Sequence, residues 1–78
     1  MKKIEHKLFL IKLGSNLKSL RQSVNFTQEQ LANEIGVEIS QISRIERGII
    51  ATSAVTFYEI SLVLNIPLKD FFDFNLED

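Results

Sequence analysis

Thr27 and Gly36 punctuate this chain more firmly than any other pair of residues, and the eight positions between them have the make-up of one short helix. The Thr27 hydroxyl can accept from a first-turn backbone N–H that has no partner within the helix, and Gln30, three residues on, completes a capping-box pattern. Leu31 and Ile35 fall on one face, Ala32 is small enough to admit a neighbouring helix closely, and Gly36 supplies the left-handed residue that ends the helix. The chain must turn there. A second short helix then runs from about Glu38 to Arg47, with Ile42 and Ile45 as its apolar positions and Val37 just ahead of them. Ser40, Gln41, Ser43, Arg44 and Arg47 take the remaining directions, so its outer face is polar and partly cationic.

The flanking residues supply the rest of a helical fold. Leu10, Leu13, Leu17, Leu20 and Val24 recur at intervals of three and four, one apolar stripe of a helix beginning between Ile4 and Leu8. Gly14 sits inside that stripe at a propensity cost of about 1 kcal/mol relative to Ala, which implies close approach by another element. Ser53 is an N-cap for a fourth helix carrying Phe57, Ile60 and Leu64, and Pro67 opens a short fifth one with Leu68, Phe71 and Phe72. The expected fold class is all-α: five compact helices without strands, one domain over residues 1–78, its core at about 10–72 and its two-helix motif at about 27–47.

Composition narrows the function classes. A chain of 78 residues at 45% hydrophobic can close only one modest core. Without Cys and with a single His, disulfides, thiolate chemistry and zinc sites of several Cys or His ligands are excluded, and no cofactor or small-molecule ligand is implied. Lysines precede the N-terminal apolar run, but Lys12 interrupts it, no cleavage site follows, and no stretch is long enough to span a bilayer; the expected location is the cytoplasm. His6 has no nucleophile or orienting carboxylate at a recognisable spacing, so catalysis is not expected. The net charge of −1 hides an asymmetry: residues 1–58 hold eight Lys or Arg against five acids (+3), and residues 59–78 hold one Lys against five acids (−4).

The Thr-Gln-Glu-Gln-Leu-Ala opening at residues 27–32, the Gly36-Val37 turn and the Ile42-Ser43-Arg44-Ile45-Glu46-Arg47-Gly48 run resemble the XRE family of Cro- and cI-type repressors, over roughly residues 10–72. The resemblance implies a lambda-repressor-like domain that binds double-stranded DNA, the first motif helix crossing the backbone and the second lying in the major groove. By that likeness base readout falls to Glu38, Ile39, Ser40, Gln41 and Arg44, and phosphate positioning to Lys18, Thr27, Gln28, Ser43 and Arg47. Gln41 can pair with adenine N6 and N7, and Arg44 can reach a guanine or a phosphate; for each, the alternative is a solvated helix surface. Arg21 and Glu46 match positions that related repressors pair as an internal salt bridge, which favours a structural role for both.

The pattern departs from the family at Glu38, where a Ser or Thr cap is usual, and at Ile39, where a polar or basic reader is usual. Glu38 could accept from a cytosine N4 amine and Ile39 could meet a thymine methyl, or the two could merely start the helix with Glu38 favoured by its dipole. The loop from Ile49 to Thr52 lacks the basic residues that relatives often place there, so modest affinity per monomer is expected. Two weak half-sites on a pseudo-palindrome then call for a homodimer. Ile66, Leu68, Phe71, Phe72 and Phe74 are the candidate interface, and the segment from Asn65 to Phe72 resembles the end of restriction-modification controller proteins. The resulting expectation is a dimeric, sequence-specific transcriptional regulator of repressor or controller type. The alternative is a helix-turn-helix module or antitoxin that acts mainly by binding a protein partner, for which Glu38 and the apolar Ile49-Ile50 pair speak.

Overall fold

The computed structural model describes residues 4–76, so Glu77 and Asp78 of the acidic tail lie outside the described residues. Helices α1 (Ile4–Ser23), α2 (Gln28–Ile35), α3 (Ile39–Glu46) and α4 (Ala54–Leu64) are followed by a 3-10 helix, η1 (Leu68–Phe72), and there is no strand among the described residues. The fifth element is therefore a tighter helix than an α-helix. With Pro67 at φ −54° and only five residues to work with, it closes on Asp70 N–H to Pro67 O at 2.9 Å, three residues back.

Local chemistry sets each boundary. The Thr27 hydroxyl accepts from Gln30 N–H at 3.0 Å while the Gln30 side chain accepts from Thr27 N–H at 2.9 Å, the full reciprocal capping box. Gly36 ends α2 at φ +76°, a left-handed conformation that costs a glycine little. Ser53 caps α4 by accepting from Thr56 N–H at 3.1 Å. At the end of α1, Asn25 adopts φ +62° and lets Phe26 N–H reach back to Arg21 O at 3.2 Å. That stop corrects the apolar stripe: Val24 lies beyond the helix and is exposed, while Arg21 takes the buried position one turn after Leu17.

Leu13, Leu17, Leu31, Ile42, Ile60 and Phe71 are the centre of the core, which α1 closes against α3 and η1 while α2 packs on α3 and α4. Gly14 explains how α1 and α3 come so close. A Cβ there would sit 2.6 Å from Glu46 O and nearer still to Ile45 O, so the helices touch through backbone and only glycine fits. On the other side of α1, the Asn16 amide donates to Asp70 O at 2.9 Å and to Phe71 O at 2.8 Å, and Lys12 Nζ donates to Asn75 O at 2.5 Å. Phe74 packs on Phe9 with ring centroids 5.7 Å apart. Phe74 and Asn75 thus lie back along α1.

One candidate for the dimer surface is corrected by this packing. Phe71 is fully buried, edge-on to Phe57 at 6.2 Å, and belongs to the core of the protomer. Its neighbour Phe72 is 45% exposed and lies at the rim of the core, its ring 5.6 Å from that of Phe57.

Candidate nucleic-acid interface

The geometry of α3 is set by a buried carboxylate. Glu46, in its last turn, accepts from Arg21 Nε at 2.7 Å on Oε2 and from Arg21 Nη2 at 3.1 Å on Oε1, a two-pronged pairing. Gln28 Nε2 donates to the same Oε1 at 2.9 Å, and Arg21 Nη1 donates to Phe26 O at 2.6 Å. Arg21 and Glu46 are 6% and 5% exposed, low enough that either charge alone would be costly to bury. No buried side-chain polar atom among the described residues lacks a partner. The network joins α1, α2, α3 and the turn between α1 and α2, so it fixes how α3 lies against α2.

With Ile42, Ile45 and Glu46 turned inward, the rest of α3 faces out. Ile39, Ser40 and Arg44 are exposed, and Gln41 and Ser43 are half-buried. The Arg44 side chain has no hydrogen bond or ion pair among the described residues, and its guanidinium is available to an incoming anion. Arg47 folds back along the helix, with Nε donating to Ser43 Oγ at 3.2 Å and to Ser43 O at 3.3 Å, so these two residues form one polar edge. Lys18 is exposed on α1. Thr27 and Gln28 already have protein partners, one in the α2 cap and the other in the Glu46 network. Glu38 is the N-cap residue of α3, but its carboxylate makes no cap hydrogen bond.

A second surface escaped the sequence reading. Val55, Tyr58 and Leu62 project from α4 at spacings of three and four and are 64%, 52% and 61% exposed. Of these, Tyr58 and Leu62 border an open, mostly apolar groove with Ile66, Pro67 and Leu68. Their spacing was present in the sequence, but α4 is apolar on all sides, which leaves no contrast from which to tell its outer face. Among the described residues there is no cluster of metal-ligating side chains, and no helix is long and apolar enough to cross a membrane.

A capped α2, a glycine turn and an α3 that buries one face and exposes a polar one define a helix-turn-helix DNA-binding fold. The sequence profile of the helix-turn-helix family matches residues 17–71, and the chain belongs to that family, in its XRE-type branch. It is 32% identical over 63 residues to an HTH-type transcriptional regulator of Sinorhizobium medicae, covering 81% of this chain and 45% of that protein. The chain therefore spans about half the length of that relative. It is 38% identical over 60 residues to antitoxin HipB of Escherichia coli, covering 74% of this chain and 64% of the antitoxin. Its fold is similar to the crystal structure of the restriction-modification controller protein C.AhdI from Aeromonas hydrophila, with a TM-score of 0.77 and 32% identity over 81% of this chain and 96% of the controller. The chain thus carries the helix-turn-helix DNA-binding fold of transcriptional regulators.

Proposed function

We propose that the protein is a homodimeric, sequence-specific regulator that places α3 in the major groove of each half of a pseudo-palindromic operator and acts by occupying a promoter, as a repressor or controller does. The observation that carries this reading is the Glu46 network, which holds α2 and α3 in fixed relation and leaves the outer face of α3 free for a ligand. Gln41 and Arg44 then meet base edges, together with Glu38, Ile39 and Ser40. Lys18, Ser43 and Arg47 serve the phosphates, with Thr27 and Gln28 orienting α2. Likeness to a controller protein supports the dimer, and so does the exposed apolar strip of Val55, Tyr58 and Leu62, the last two beside Leu68. A regulator of this kind works in the cytoplasm.

Enrichment of a random duplex library by the purified protein tests the proposal. An inverted repeat recovered by the wild type and lost in a Gln41→Ala, Arg44→Ala double variant is the expected result. A folded protein that enriches nothing would sink it. The likeness to antitoxin HipB favours a second reading, in which the fold serves mainly to bind a protein partner. Salt separates the two, since phosphate contacts give a slope in log affinity against log salt of about −0.9 per neutralised phosphate and an apolar interface gives almost none.

A further inference from the structure

We infer that Glu38 and Ile39 read a pyrimidine step, a cytosine stacked on a thymine in either order, in each operator half-site. The inference rests on the placement of α3 in the major groove proposed above. Two observations single out these residues. Glu38 occupies the N-cap position, yet its carboxylate makes no cap bond; the Gln41 N–H is taken at 3.0 Å by the Glu38 backbone carbonyl instead. Ile39 is 49% exposed and stands outside the hydrophobic core, which α3 reaches through Ile42 and Ile45. An uncommitted carboxylate and an uncovered aliphatic side chain therefore sit side by side on the end of α3 that enters the groove first.

The chemistry of the groove leaves each of them one good partner. A carboxylate accepts hydrogen bonds and is repelled by phosphate, and the only donors on the major-groove edges are the cytosine N4 and adenine N6 amines. Beside N6, adenine presents N7, an acceptor that would face the second carboxylate oxygen. Beside N4, cytosine presents only the C5–H, so cytosine is favoured. Ile39 has no polar atom to offer, and the one apolar group on these edges is the thymine C5 methyl. Successive residues of a helix diverge by about 100° while stacked bases lie about 3.4 Å apart along a strand, so the two side chains reach neighbouring bases rather than the same one.

The test changes the DNA before the protein. The duplex enriched by the wild type is resynthesised with uracil for the thymine of the step, which removes one methyl group per half-site and nothing else. Affinity is expected to fall about fourfold per methyl. Ile39→Ala, at an exposed position, should bind the thymine and uracil duplexes equally, and library enrichment with Glu38→Ala should relax the cytosine while keeping the thymine. Circular dichroism confirms that both variants are folded. Equal binding of the two duplexes by the wild type, or an enriched site without a cytosine–thymine step, overturns the inference and leaves the DNA-binding reading standing. Failure of the folded wild type to enrich any sequence overturns both.

Discussion

Gln28 Nε2 lies 2.9 Å from Glu46 Oε1, so the first turn of α2 hangs on the carboxylate that also receives the Arg21 guanidinium. One buried acid thereby sets the angle between the two helices of the motif. The side chain that a family resemblance assigns to phosphate contact is, in the free protein, part of the frame that aims α3.

Removing that acid should cost far more than a surface ion pair would. Glu46→Ala leaves the buried guanidinium and the Gln28 amide without their acceptor, and a loss of about 3 to 5 kcal/mol is expected in urea denaturation. Against a total stability of roughly 4 to 12 kcal/mol for a chain of this size, the variant stands close to unfolding. Arg21→Met combined with Glu46→Leu should lose much less, since neither charge is then stranded. If the double variant is as unstable as the single one, the pair matters for its packing and not for charge compensation.

Gly14 and Gly36 should respond to alanine for opposite reasons. At Gly14 the gain in helix propensity, about 1 kcal/mol, is set against a Cβ driven into the backbone carbonyls of Ile45 and Glu46, which cannot move without shifting α3. A net loss of about 1 to 3 kcal/mol and weakened DNA binding are expected. Gly36 has open space around it and only its φ of +76° to object, so its alanine variant should lose about 1 to 2 kcal/mol and, once folded, keep its affinity. Thermal unfolding beside a binding titration distinguishes the two; a Gly14 variant as stable as the wild type would contradict the contact.

How much of this was legible in the sequence depends on how local each feature is. The Thr27 capping box and the Gly36 turn are written in residues three to nine apart and needed no tertiary information. Arg21 and Glu46 are 25 residues apart, and only the family resemblance suggested pairing them. The docking of Asn16 onto the Asp70 and Phe71 carbonyls left no mark at all, because every residue offers a carbonyl and nothing distinguishes the two that are used. Phe71 and Phe72 are the same residue type side by side, and which one enters the core is settled by the 3-10 geometry of η1. On α4 the buried Phe57, Ile60 and Leu64 and the exposed Val55, Tyr58 and Leu62 are all apolar or aromatic, so which face stays exposed was invisible.

Base readout and phosphate contact should separate under mutation. Gln41→Ala is expected to relax preference at one base pair per half-site, by about 1 to 3 kcal/mol, with little change in salt dependence. Arg47→Ala should weaken binding to all sequences alike and lower the salt slope by about 0.9 per half-site. Ser43→Ala tests the polar edge that these two residues form, since it removes the Ser43 Oγ acceptor of Arg47 Nε and leaves the charge in place. Competition binding against mismatched duplexes at several salt concentrations reads all three, and equal losses of specificity from Gln41→Ala and Arg47→Ala would contradict the assignment.

The dimer prediction turns on a contrast between α4 and η1. Leu62 is 61% exposed in the protomer, so Leu62→Glu should leave the fold intact, whereas Phe71 is fully buried and Phe71→Ala should cost about 3 to 5 kcal/mol of stability. If the strip of Val55, Tyr58 and Leu62 pairs across a two-fold axis, Leu62→Glu brings two carboxylates together in an apolar interface, and sedimentation should shift from dimer to monomer at micromolar concentration. Affinity for the full operator should then fall towards that of a single half-site, because the second recognition helix no longer binds at the high local concentration that linkage provides. A Leu62→Glu protein that remains dimeric and keeps its operator affinity would remove α4 from the interface and turn attention to the exposed Phe72 and Leu68 of η1, where Phe72→Glu makes the corresponding test.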